Sequence, residues 1–172
     1  MGQTGDPVYK KVIGMAKVII TCGKICSGKT TYAEKLRREG RAVILSVDEI
    51  TLSLFGQDAG DKLDEYVAKT KEYLYRKSLE IIDSGIDVIL DWGLWTKEER
   101  AYTRSFYDSN GVINEIHYLD VDNDEWHRRI EKRNQDILAG KRNDYYVDEG
   151  LSEKFNSIFE KPDPSEIDLW VK

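Results

Sequence analysis

The sequence is poor in cysteine and proline, and it has no long apolar run. Two cysteines among 172 residues cannot build a disulfide scaffold, and they suit a reducing compartment. No apolar run approaches the roughly 20 residues that a membrane span needs, and the first residues lack the apolar region of a secretory signal. The chain has three prolines and 13 glycines, too few for a low-complexity sequence. Its four tryptophans and ten tyrosines are too many for a disordered chain. We therefore expect a cytoplasmic globular domain with no membrane association.

The charge of the chain is negative overall but unevenly distributed. The net charge is -6 and the pI is about 5.1, which argues against a protein that coats nucleic acid by charge alone. Residues 1–40 contain eight basic and three acidic side chains, a net charge of +5, so the remaining residues carry -11. This asymmetry indicates a site for an anion near the start of the chain.

Short apolar runs alternate with longer segments of helical periodicity. The runs predict strands over residues 16–22, 42–46, 86–90, 112–119 and 167–171. The periodic segments predict helices over residues 28–39, 61–83, 96–109, 122–137 and 148–159. Strands that alternate with helices favour a parallel sheet covered on both faces. We expect a flexible tail over residues 1–11 and one α/β domain over residues 12–172.

Residues 23–30, GKICSGKT, match the phosphate-binding pattern G-x-x-x-x-G-K-[ST] between a predicted strand and a predicted helix. In this pattern backbone N–H groups surround phosphate oxygens, the lysine contacts the β- and γ-phosphates, and the final hydroxyl binds Mg²⁺. The alternative is an ordinary glycine-rich turn. The residues expected to bind ATP are Gly23, Lys24, Ile25, Cys26, Ser27, Gly28, Lys29, Thr30 and Thr31.

Acidic residues follow the second and third predicted strands. Ligands of open α/β sheets bind beyond the carboxyl ends of the strands, so Asp48 should lie near the γ-phosphate and could accept a proton from an attacking hydroxyl. Asp91 is expected to hold Mg²⁺ through water, with Thr30, or to orient the acceptor. Trp92 and Trp95 could form a wall of the acceptor pocket. The alternatives are a helix-capping role for Asp48 and ordinary packing for the two tryptophans.

A charged helical segment contains two arginines spaced for one face. Arg129 and Arg133 are four residues apart, and guanidinium groups at this spacing suit a lid, over about residues 126–145, that stabilises the charge of phosphoryl transfer. The alternative is a solvated helix with Glu–Arg pairs.

These motifs together resemble the small P-loop kinases, an ATP-binding family of the AAA-domain type. They are most similar to the branch that contains polynucleotide 5'-kinase domains, chloramphenicol phosphotransferase and zeta toxin. The segments that carry this similarity are the phosphate loop, SVDE, DWGLWTKEER, RRIEKRN and FEKPDPSE. The resemblance implies a three-layer P-loop NTPase fold with a five-stranded parallel sheet in the order 2-3-1-4-5. It also implies ATP as donor, Asp48 as catalytic base and an arginine-bearing lid.

The sequence departs from this branch at one position that bears on the acceptor. Polynucleotide kinases have an arginine three residues after the catalytic aspartate, where this chain has Thr51. We therefore expect an ATP-dependent phosphotransferase that acts on a hydroxyl of a small molecule, with nucleic acid a disfavoured acceptor. The alternatives are a regulatory or toxin-like nucleotide-binding ATPase and, third, a polynucleotide 5'-hydroxyl kinase.

Overall fold

A five-stranded parallel sheet forms the centre of the molecule. The computed structural model describes residues 15–58 and 60–171, so the predicted tail at residues 1–11 lies outside the described residues. The strand order β2-β3-β1-β4-β5 is the order that the resemblance implied, and every described pairing is parallel. The strands are β1 (Lys17–Cys22), β2 (Ala42–Ser46), β3 (Asp87–Asp91), β4 (Ile113–Leu119) and β5 (Leu169–Val171).

Helices cover both faces of this sheet, which confirms the predicted three-layer α/β fold. The helices are α1 (Lys29–Glu39), α2 (Val47–Phe55), α3 (Leu63–Asp83), α4 (Lys97–Ser109), α5 (Asn123–Leu138) and α6 (Glu149–Ile158). Ala33 of α1 packs on Ile19 and Ile89 on one face, while Leu74 of α3 and Tyr107 of α4 pack on the other. The continuous apolar runs of β1 and β3 follow from this arrangement, since both faces of each strand are buried.

Helix α2 is the element that the sequence pattern did not predict. It begins directly after β2, and the Ser46 hydroxyl accepts a hydrogen bond from the backbone N–H of Glu49 at 3.3 Å. Asp48 therefore lies in the first turn of a helix and not at the end of a strand.

A buried ion pair fastens the segment before β5 to the start of α4. The Arg100 side chain is 1% exposed, and its Nε donates to Glu166 Oε2 at 2.8 Å while Nη1 donates to the carbonyl of Glu160 at 2.9 Å. The backbone N–H of Glu160 also donates to the carbonyl of Trp95 at 2.8 Å. The loop between β3 and α4 is thus fixed beside the carboxyl ends of the strands.

Within the described part of the chain, no helix is both long and apolar enough to cross a membrane.

Candidate active site

The phosphate loop, residues 23–30, joins β1 to α1 at the carboxyl end of the sheet. Gly23 and Gly28 have φ values of 149° and 102°, which side-chain-bearing residues rarely adopt, and Cys26 has a φ of 59°. A side chain at position 23 would also lie 2.8 Å from the carbonyl oxygen of Leu119. The two glycines of the motif are therefore required by the conformation of the loop.

The first turn of α1 is open to an anion. Side chains cap the N-termini of α2, α4, α5 and α6. Neither α1 nor α3 has a side-chain cap, but the first turn of α3 contains two acidic residues and that of α1 contains none. The free N–H groups and the positive end of the helix dipole face this position. Such an uncapped helix start after a glycine-rich loop is a phosphate-binding arrangement.

Two polar side chains of the loop fit a bound phosphate. The Ser27 hydroxyl is buried and lacks a hydrogen-bond partner among the described residues. Lys29 Nζ donates to the carbonyls of Gly23 and Lys24 at 3.1 and 2.8 Å, so the ammonium group lies against the loop. Burial lowers the pKa of Lys29, and the nearby carboxylate of Asp91 opposes that shift.

Asp48 and Asp91 come together beside Lys29. Burial raises the pKa of both carboxyl groups, and the Lys29 ammonium opposes the rise in each case. Asp48 is nevertheless exposed to solvent. We call this exposed region beside the phosphate loop the cleft. A hydrogen bond with Thr30 also lowers the pKa of Asp91, so this hydroxyl and this carboxylate are neighbours.

A hydroxyl and a carboxylate beside a phosphate loop are oxygen donors suited to Mg²⁺, which keeps several waters and phosphate oxygens as its other ligands. The described residues contain no cluster of three or more His, Cys, Asp or Glu side chains that could hold a metal ion without a nucleotide. Thr30 and Asp91 therefore fit a nucleotide-bound Mg²⁺.

Helix α5 lies directly against the phosphate loop. Trp126 Nε1 donates to the carbonyl of Ile25 at 2.6 Å, and Arg129 Nη1 donates to the carbonyl of Ser27 at 2.6 Å. Arg133 Nη1 lies 3.4 Å from Sγ of Cys26. Three consecutive loop residues are thus contacted from one face of α5, the face that the arginine spacing predicted. Arg129 also pairs with Glu125 at 2.7 Å, as the solvated-helix alternative expected.

The segment after α5 returns across the cleft to α2. The Tyr145 hydroxyl donates to Thr51 Oγ1 at 3.0 Å, and Thr51 donates to the carbonyl of Val47 at 3.0 Å. Gln57 fixes the same segment, because its Nε2 donates to the carbonyl of Asp144 at 2.7 Å. Thr51 is completely buried, so its side chain does not face the cleft.

The two tryptophans after β3 have different surroundings. Trp92 is 5% exposed and packs edge-on against Tyr75 in the main core, so its position agrees with the alternative of ordinary packing. Trp95 is partly exposed and lies against Phe155, with ring centroids 4.4 Å apart. A side chain at Gly93 would collide with the Trp95 indole, so this glycine leaves room for the ring. Trp95 is the member of the pair that remains a candidate for the acceptor pocket.

Several residues around the cleft were missed by the sequence analysis. Trp126 could have been found, since it precedes Arg129 and Arg133 by three and seven residues on the same helical face. Asp144 and Lys71 carry no such signal. Both residues influence Asp48: Asp144 raises the pKa of its carboxyl group and Lys71 lowers it. This proximity depends on how segments that are distant in the sequence pack against one another.

Comparison with known proteins identifies the family and the fold of the chain. A family model described as "AAA domain" matches residues 18–162. The chain belongs to this AAA-domain family. The comparison with curated proteins found no match. The family and the fold together confirm the resemblance to the small P-loop kinases.

Three solved structures share the fold of this AAA-domain protein. The Mycobacterium tuberculosis APS kinase in complex with AMPPNP and APS is 18% identical over 91% of this chain and 88% of its own, with a TM-score of 0.61. A sugar kinase from Janibacter sp. is 17% identical over 91% of this chain and 84% of its own, with a TM-score of 0.60. A chain of the Pnkp1/Rnl/Hen1 RNA repair complex is 18% identical over 83% and 43%, with a TM-score of 0.65.

Proposed function

We propose that this protein is an ATP-dependent kinase that transfers the γ-phosphoryl group to a hydroxyl of a small molecule. The observation that carries the proposal is the meeting of Lys29, Asp48 and Asp91 beside an uncapped helix start. Phosphoryl transfer needs positioning of the triphosphate, neutralisation of its charge and a group that takes the acceptor proton. This cleft contains a candidate for each task.

The candidate roles follow from the positions of the side chains. The loop N–H groups, Ser27 and Lys29 would hold the β- and γ-phosphates, and Arg129 and Arg133 would stabilise the charge of transfer from α5. Thr30, with Asp91 through water, would hold Mg²⁺, which would supply positive charge that neutralises the phosphates. Asp48 would accept the proton of the acceptor hydroxyl. Its raised pKa suits a base better than an ordinary carboxyl pKa does.

The lid remains a prediction. Residues 126–145 comprise most of α5 and the segment that reaches α2, so a closing motion there would carry two arginines and Asp144 over the cleft together.

A polynucleotide acceptor is disfavoured by the surroundings of Thr51. Polynucleotide kinases have an arginine at this position, which binds the phosphate of the acceptor. In this chain the position is a completely buried threonine, which is hydrogen-bonded to Tyr145 and to a carbonyl of its own helix. The RNA repair complex among the solved structures keeps this acceptor in consideration, so end-labelling of RNA and DNA belongs in the test. We expect no labelling.

A screen of small hydroxyl compounds and nucleosides tests the proposal. We expect one compound to stimulate ADP formation and to yield a phosphorylated product in equal amount. Slow hydrolysis that no compound stimulates, together with a partner protein bound only in the presence of nucleotide, would instead support the regulatory or toxin-like ATPase.

A further inference from the structure

A short segment after α5, residues 144–147, is fixed at both of its ends, and we call it the strap. At one end, Val147 is 1% exposed and packs in the same cluster as Trp126 of α5 and Cys26 of the phosphate loop. Asn134 of α5 holds the backbone there, because its Nδ2 donates to the carbonyl of Val147 at 2.6 Å and its Oδ1 accepts from the N–H of Val147 at 3.0 Å. This end of the strap therefore belongs to the nucleotide side of the cleft.

The other end of the strap is fixed to the end of α2. Gln57 lies two residues after this helix, and its Nε2 donates to the carbonyl of Asp144 at 2.7 Å. Its Oε1 accepts from the backbone N–H of Tyr146 at 3.3 Å. A side-chain amide thus pairs with the strap backbone at each end, and the strap joins α2 to α5.

Between these two ends, the side chain of Tyr145 reaches the start of α2. Its hydroxyl donates to Thr51 Oγ1 at 3.0 Å, and Thr51 Oγ1 lies 3.0 Å from the carbonyl of Val47 and 3.3 Å from the carbonyl of Asp48. Thr51 is completely buried, so water does not compete for these hydrogen bonds. The strap therefore contacts the first turn of α2 at the residue next to the backbone of Asp48.

Direct contacts continue from the strap to the phosphate loop. Asn134 follows Arg133, whose Nη1 lies 3.4 Å from Sγ of Cys26. One turn earlier in α5, Arg129 Nη1 donates to the carbonyl of Ser27 at 2.6 Å. A nucleotide that orders the loop N–H groups also orders the loop carbonyls that α5 contacts. Its effect can therefore pass through α5 and the strap to α2.

We infer that Tyr145 is a positioning residue: through Thr51 it holds the first turn of α2, and with it Asp48, in a fixed position relative to α5 and the phosphate loop. The inference rests on the proposed function, in which Asp48 takes the acceptor proton. It requires that a nucleotide in the phosphate loop stabilises α2 without touching Asp48. It also assigns a task to Thr51, the position at which the sequence departs from the polynucleotide kinases.

Hydrogen exchange of backbone amides, measured with and without saturating Mg²⁺ and ADP, tests the inference. ADP lacks the γ-phosphate, the group expected near Asp48, so slower exchange in α2 cannot arise from that contact. Tyr145→Phe removes one hydroxyl and leaves Thr51 bonded to the carbonyl of Val47, so no buried polar group is left unpaired. Tyr146→Phe is the matched control, because it removes the same atom from the neighbouring residue, which is 44% exposed.

We expect Mg²⁺ and ADP to slow exchange both in residues 23–30 and in α2 of wild type and of Tyr146→Phe. In Tyr145→Phe, exchange in residues 23–30 should slow as in wild type, but the slowing in α2 should shrink roughly 3- to 10-fold, the usual effect of one hydrogen bond. Thr51→Val removes the other partner of this bond and should have the same effect. The double variant should show no greater effect than either single variant, because both changes remove one interaction.

Three results would overturn the inference: no slowing in α2 of wild type, equal slowing in α2 of wild type and Tyr145→Phe, or an equal loss in Tyr146→Phe. A failure of the proposed function has a different signature. If ADP does not slow exchange in residues 23–30 of wild type, no nucleotide occupies the phosphate loop, and the proposed function itself is refuted.

Discussion

Trp126→Phe tests whether α5 holds the phosphate loop in its binding conformation. The substitution keeps an aromatic ring in the cluster with Ile130 and Val147 but removes the hydrogen bond from Nε1 to the carbonyl of Ile25, which is 2.6 Å long. It also weakens the contact of Lys24 Nζ with the indole ring, whose centroid lies 4.7 Å away. Without the indole N–H, the Ile25 carbonyl is free to turn, and the loop N–H groups lose their common orientation.

The expected loss follows from these two contacts. A hydrogen bond of this kind contributes about 0.5–1.5 kcal/mol, and a partly exposed cation–π contact contributes about 0.5–1 kcal/mol. If the combined loss of roughly 1–2.5 kcal/mol falls on the bound conformation of the loop, nucleotide affinity should drop roughly 5- to 60-fold.

Calorimetric titration with a non-hydrolysable ATP analogue, beside urea unfolding, measures both effects of the change. Trp170→Phe is the matched control, because Trp170 packs on the ring of Tyr118 and lies near Lys161, and neither of these residues belongs to the phosphate loop. We expect weaker nucleotide binding for Trp126→Phe and unchanged binding for Trp170→Phe. A folded Trp126→Phe protein with wild-type affinity would refute this account of α5.

Two further predictions concern Lys29 and His117. Lys29→Ala should abolish productive ATP binding in calorimetry, and normal turnover of this variant would contradict the proposed function. The His117 ring is hydrogen-bonded to Tyr32 and Glu115, and burial lowers the pKa of His117. As the pH falls, the imidazole of the unfolded chain therefore takes up a proton near pH 6.5, before that of the folded protein does. The unfolding free energy should therefore fall from pH 7 to pH 5 more steeply for wild type than for His117→Gln, and parallel urea-unfolding curves would contradict this.

The fold was largely predictable from local sequence patterns. Each strand of the sheet was predicted from a short apolar run in the sequence. The phosphate loop was predicted from its glycine pattern, because its conformation requires glycine at positions 23 and 28. Helix α2 was missed for a physical reason. It follows β2 with no intervening loop, and its start depends on Ser46, whose capping role is visible only once the strand is known to end there.

The candidate site was predictable only on its nucleotide side. Lys29 and the arginines of α5 belong to segments whose spacing fixes their direction. Other contacts around the site join residues far apart in the chain, such as Lys71 with Glu99 and Tyr145 with Thr51. No local pattern encodes these pairs, because they depend on how α3, α4 and the segment after α5 pack against one another.

Asp48→Asn provides the most direct test of the central claim that this cleft transfers a phosphoryl group to a hydroxyl. The measurement is the rate of formation of phosphorylated acceptor from ATP, with nucleotide affinity determined in parallel. We predict that Asp48→Asn binds the nucleotide about as tightly as wild type but forms product roughly 10²- to 10⁴-fold more slowly, the usual contribution of a general base. An unchanged rate of product formation by Asp48→Asn would contradict the account.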